Sequence, residues 1–181
     1  MKIHHSLQTR SNWLKKPMLS GRFHHWLINS GSLTARLQHR YPDFEVKPVL
    51  LKYAKPLLHE AKSLQLSTHN TALIREVLLM GNKNAVVFAH SVLPRHSLRG
   101  RWLGLSRLGN KPLGATLFGN PQVKRTPLMY KKLSPSHVLY QHAVKNMAVQ
   151  PSYLWARRSV FSLECASIMV TEVFLPQLLD N

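Results

Sequence analysis

Two runs, "TALIREVLLM" (71–80) and "AVVFAHSVLP" (85–94), are joined by the four residues "GNKN" (81–84), and this stretch decides the fold. Apolar runs of strand length around a short polar link containing Gly and Asn form the pattern of a β-hairpin. Side chains alternate along a strand, so Leu73, Arg75, Val77 and Leu79 share one face, and a guanidinium sits among three large aliphatic groups. A second run, "SIMVTEVFLP" (167–176), repeats this with the opposite sign: Glu172 shares its face with Ile168, Val170 and Phe174. An ionised group on an apolar face must be paired, neutralised or open to a wet cavity.

Working outward, "YLWARRSVFSL" (153–163) and "SIMVTEVFLP" form a second hairpin across the link Glu164-Cys165-Ala166. "FEVKPVLLKYA" (44–54) is β-rich, and Pro48 makes it an edge or bulged strand. "PQVKRTPLMYKKL" (121–133) reads as one further strand. Short helices are expected at "RFHHWLI" (22–28) and at "SLTARLQHRY" (32–41), the latter with Ser32 as N-cap, and helical periodicity recurs between 99 and 119. Residues 134–152 carry a helical turn or an excursion. The order points to an α+β domain with one antiparallel sheet.

The chain has 181 residues, enough for one domain with a sizeable core, and its 44% hydrophobic content argues against a disordered basic tail. Residues 1–21 are expected to form a basic N-terminal arm and 22–181 the domain. The single cysteine, Cys165, excludes an intrachain disulfide and suits a reducing compartment. No run has the apolar length of a signal peptide core or a membrane span, so the reading is cytoplasmic. The net charge of +18 names three partner classes: nucleic acid, an acidic membrane surface or an anionic small molecule.

Two readings of Arg75 and Glu172 follow. In one they pair with each other or face solvent on an edge. In the other they line a pocket in which Arg75 binds a carboxylate and Glu172 acts as general acid. Gly109 and Gly114 have the spacing of a phosphate loop, but Ala115 and Thr116 follow instead of the Lys-Ser/Thr pair, which excludes a nucleotide loop. The eleven histidines match no metal-ligand spacing, and His90 draws attention because strand pairing could bring it near Arg75. Basic residues are spread along the chain without a nucleic-acid-binding motif, so no obligate nucleic acid partner is expected.

"LIREVLL" (73–79), "SVLP" (91–94), "LGNKPLGATLF" (108–118), "LWARRS" (154–159) and "TEVFLP" (171–176) together resemble the chorismate pyruvate-lyase family, in the family's order. The resemblance implies a six-stranded antiparallel sheet with short helices packed on one side and an internal ligand site closed by flaps. It implies a cofactor-independent, monomeric enzyme that eliminates pyruvate from chorismate to give 4-hydroxybenzoate for ubiquinone synthesis. By position, Arg75 and the backbone at Leu113 would hold the ring carboxylate. Glu172 would act at the opposite end of the ring, and Leu33, in "GSLTARL" (31–37), would line the lid. His90 stands where the family usually has arginine, which makes a second cationic contact weaker or pH-dependent. The stretch 131–152 looks longer than in familiar members. Rival readings are a ligand-sensing module of the same fold and a basic RNA-associated protein.

Overall fold

The computed structural model describes residues 13–99 and 101–180, so most of the basic arm, residues 1–12, lies outside the described residues. Seven strands form one antiparallel sheet: β1 (Glu45–Ala54), β2 (Ala72–Gly81), β3 (Asn84–Pro94), β4 (Lys124–Arg125), β5 (Met129–Leu133), β6 (Leu154–Leu163) and β7 (Ala166–Phe174). Their spatial order is β1-β2-β3-β7-β6, and both β4 and β5 pair with the outer edge of β6. The expected six strands become seven because the run 121–133 is interrupted at Pro127, which has no N–H to give to the ladder. Its two halves share one edge of the sheet.

The central hairpin closes on two residues, since Gly81 pairs with Asn84. Asn82 and Lys83 both have positive φ, 50° and 62°, as a type I′ turn requires. The Asp43 carboxylate accepts the N–H of both, at 2.8 and 2.9 Å. Gly81 is needed for another reason: a Cβ there would lie 2.4 Å from the Tyr41 ring. At the edge, β1 slips register between Pro48 and Leu50, where its proline predicts a bulge.

Among the described residues six short α-helices complete the fold: α1 (His24–Ile28), α2 (Leu33–Arg40), α3 (Leu58–Ser63), α4 (Arg95–Arg99), α5 (Leu113–Gly119) and α6 (Val138–Val144). The Ser32 hydroxyl caps α2 by accepting the Ala35 N–H at 3.2 Å. On one face of the sheet, the front, Leu37 of α2 and Leu113 and Leu117 of α5 belong to cores that include Val77, Leu79, Phe161 and Phe174. On the back, Leu139, Tyr140 and Val144 of α6 pack with Phe88 and Val173, and Leu64 after α3 packs with Ile74, Val92 and Met169. Helices therefore cover both faces, not one. The physical reason is that β2 and β3 are apolar on both sides, so each side has to be buried. Trp13, at the end of the arm, is buried in the back core.

Candidate active site

Strand register builds the site in two rows on the front face. Arg75, Ser91, Val170 and Ser159 lie opposite one another across β2, β3, β7 and β6. The next row holds Val77, Ala89, Glu172 and Arg157. Arg75 and Glu172 are thus two strands apart, about 10 Å across the sheet, and both line one cavity. Its walls include Leu33 of α2 and Pro112, Leu113 and Gly114 at the start of α5. These two helices meet closely over the cavity, since a Cβ on Gly114 would lie 3.0 Å from the Thr34 hydroxyl. The free volume inside is about 40 Å³.

Arg75 is 4% exposed and does not touch Glu172. Its guanidinium donates to the Gly109 and Lys111 carbonyls, both at 3.0 Å, which ties β2 to the loop that leads into Leu113. Burial lowers the proton affinity of the guanidinium. An arginine still stays charged, so Arg75 is a desolvated cation with no carboxylate partner among the described residues.

Glu172 pairs instead with Arg157, whose Nε donates to Oε2 at 2.5 Å. Arg157 is 1% exposed and also donates to the carbonyls of Trp26, Leu27 and Asn29. These carbonyls lie at the C-terminal end of α1, where a helix leaves acceptors without internal partners and a cation is favoured. A further cation, Arg125, lines the same cavity. It donates to the Ser159 hydroxyl at 2.8 Å and to the Ser30 carbonyl at 2.6 Å. Sequence reasoning placed neither Arg157 nor Arg125 in this site. The signal for Arg157 was the turn length. A three-residue link sets Leu163 opposite Ser167 and Glu172 opposite Arg158, whereas the observed link of Glu164 and Cys165 pairs Leu163 with Ala166 and Glu172 with Arg157.

His90 does not reach Arg75. Ser91 is the residue opposite Arg75, and alternation turns His90 to the back of the sheet. There its Nδ1 lies 2.9 Å from Glu76 Oε1, and its Nε2 lies 3.2 Å from Glu60 Oε1 without hydrogen-bond alignment. His142 Nδ1 meets the same Glu76 oxygen at 2.8 Å. Burial alone would lower the His90 pKa, but Glu60 and Glu76 outweigh it and raise it to about 9. The carboxyls of Glu60 and Glu76 are in turn held below their ordinary value: burial opposes this, and the histidine contacts prevail. Among the described residues, no three His, Cys, Asp or Glu side chains are arranged to hold a metal ion.

The fold and the front cavity define an α+β domain with a cation-rich internal cavity. Solved structures agree on the fold. The effector domain of PhnF from Mycobacterium smegmatis superposes with a TM-score of 0.60 at 13% identity, covering 82% of this chain and 91% of that one. A GntR-family transcriptional regulator from Bacillus cereus gives 0.54 at 12% identity, covering 75% and 93%. A family model described as chorismate lyase matches residues 7–181. A Nitrosospira multiformis protein named "Probable chorismate pyruvate-lyase" is 49% identical over 94% of this chain and 96% of its own. A Nitrosomonas europaea protein of the same name is 48% identical over 84% and 86%. The chain belongs to the chorismate lyase family.

Proposed function

We propose that this protein is a chorismate pyruvate-lyase. The observation that carries the reading is the front cavity that Arg75, without a carboxylate partner among the described residues, and Glu172 both line, with α2 and α5 in its walls. Chorismate carries two carboxylates. The ring carboxylate meets Arg75 and the backbone at Leu113, and the enolpyruvyl end lies toward Glu172. The bond from the ring carbon to the ether oxygen breaks with its electron pair on that oxygen, which takes the proton of the acid, and the proton lost by the neighbouring ring carbon restores the proton count. The ring becomes aromatic as 4-hydroxybenzoate, and the departing enol becomes pyruvate. Atoms and electrons balance without a redox partner.

Glu172 is the general acid in this scheme, worth about 10² to 10⁴ in rate. Arg157 holds its Oε2, and Glu172 is part of the cavity lining. A cavity of about 40 Å³ holds little more than water, so the substrate enters when α2 and α5 part, with Leu33 moving as part of the lid. One chain supplies all of these groups, in keeping with a monomer, and the product serves quinone synthesis in the cytoplasm.

The test mixes purified protein with chorismate in EDTA and follows both products, with Arg75→Ala as control. Equal release of 4-hydroxybenzoate and pyruvate, slowed about 10² to 10³-fold by the substitution, is the expected outcome. The likeness to effector domains favours one rival, a sensor of the same ligand class. Saturable 4-hydroxybenzoate binding with no turnover would establish that rival instead.

A further inference from the structure

The segment from Trp13 to Arg22 is clamped at three points and turns apolar side chains outward. Trp13, Pro17 and Ser20 are buried. Leu14 and Tyr130 exchange both backbone hydrogen bonds, at 2.7 and 2.8 Å, and the Ser20 hydroxyl donates to the Pro17 carbonyl at 2.8 Å. Between these anchors Met18 is 71% exposed and Leu19 is 96% exposed. Leu19 also has a φ of 58°, a left-handed conformation that costs a non-glycine residue energy. The loop thus presents two large apolar groups to water, with exposed Lys15, Lys16 and Arg22 beside them in the chain.

The charge of the surface bears on what such a loop meets. Of the seven carboxylate side chains, Glu60 and Glu76 are buried, and Glu172 is paired inside the front cavity. Asp43 caps a turn and Glu164 pairs with Arg101. Only Asp43, Glu45, Glu164 and Asp180 are exposed to oppose the lysines and arginines of the outer surface. An apolar tip flanked in the chain by cations on a strongly basic surface fits the boundary of an anionic bilayer, where phosphates meet the cations and acyl chains meet the tip. It fits a nucleic acid poorly, because single-strand recognition uses exposed stacking rings. Here Trp13 and Trp26 are buried, and the tip is aliphatic or thioether.

We propose that the loop Lys15–Arg22 docks this protein peripherally on anionic phospholipid, with Met18 and Leu19 entering the headgroup–acyl boundary. No helix among the described residues is long and apolar enough to cross a membrane, so the contact is interfacial. The test is co-sedimentation of the full chain with vesicles of phosphatidylcholine alone or mixed with phosphatidylglycerol. Binding to the mixed vesicles only, weakened by salt, is expected. The double variant Met18→Asp, Leu19→Asp should lower that partitioning at least about tenfold, the equivalent of partly burying two apolar side chains, with an unchanged thermal midpoint. Equal binding by the variant would reduce the effect to bulk charge and overturn the loop assignment. Failure to bind the mixed vesicles would overturn it too, as would displacement from them by a single-stranded RNA that needs the same two residues.

Discussion

Arg75 and Glu76 are neighbours in β2 that face opposite sides of the sheet, and the charge groups they join differ in balance. On the front, Arg75 and Arg125 line a cavity together with one carboxylate, Glu172, which a third cation, Arg157, holds. On the back, Glu60 and Glu76 face the His90 cation, His142 approaches from α6, and Arg158 lies near enough to Glu60 to feel its charge. The front thus has an excess of positive charge that a dianionic ligand can satisfy. The back satisfies itself. Burial is similar on the two sides, and the back cluster of Glu60, Glu76, His90 and His142 also borders a cavity, so what distinguishes the candidate site from the structural cluster here is the charge count, not the presence of buried ionisable groups or of a void.

The largest test of this contrast is Glu172→Gln, which keeps the shape of the side chain and removes its proton chemistry. Product formation from chorismate should fall by about 10² to 10⁴. A fall below tenfold would make Glu172 only an anchor for Arg157, and both faces would then be structural.

The second test strikes the back. The folded pKa of His90, about 9, stands above its ordinary 6.5, so its stabilisation is complete below pH 6.5 and is lost as pH rises through 9. Glu60 and Glu76 are depressed, so theirs is present above 4.5 and is lost as pH falls below that value. Stability therefore peaks between pH 4.5 and 6.5. Titrating His90 removes about 3 kcal/mol toward pH 9, visible in urea unfolding at several pH values. His90→Gln should lose about that much at pH 6 and flatten the alkaline limb, while kcat/KM stays within about threefold of the parent. A wild-type profile already flat from pH 6.5 to 9 would refute the charged histidine.

Smaller effects sharpen the picture. Ser32→Ala removes the cap of the front flap α2 and should lower stability by about 1 kcal/mol, measured by thermal unfolding, and raise KM through Leu33. His142→Ala removes a half-exposed partner of Glu76. Less than about 1 kcal/mol is expected, and a larger loss would show that α6 is fastened by this contact more than by Leu139 and Tyr140.

Much of this was readable from alternation alone. The pattern in "TALIREVLLM" is enough to put Arg75 among Leu73, Val77 and Leu79, and "SIMVTEVFLP" does the same for Glu172. Which charges meet is a matter of register, and register depends on turn length to the residue. Taking three residues for the β6–β7 link hid Arg157 behind Arg158. The place of His90 follows from the same parity rule, because a histidine opposite Glu76 cannot share a face with Arg75. Arg125 was harder to foresee, as it enters the cavity from a two-residue strand separated from β5 by Pro127. The helices on the back were signalled by β2 and β3 being apolar on both faces.

The pairing of β3 with β7 has a consequence for how the site comes into being. Each central hairpin closes on a two-residue link, but β3 meets β7 through pairs such as Val87 with Phe174 and Val92 with Met169, separations of 87 and 77 residues. Closing so long a loop is entropically slow compared with forming a hairpin. Arg75 belongs to the first hairpin, and Arg157 and Glu172 to the second. During refolding each half can gain its strands early, yet neither holds a ligand pocket by itself, so recovery of ligand binding times the docking of the two halves.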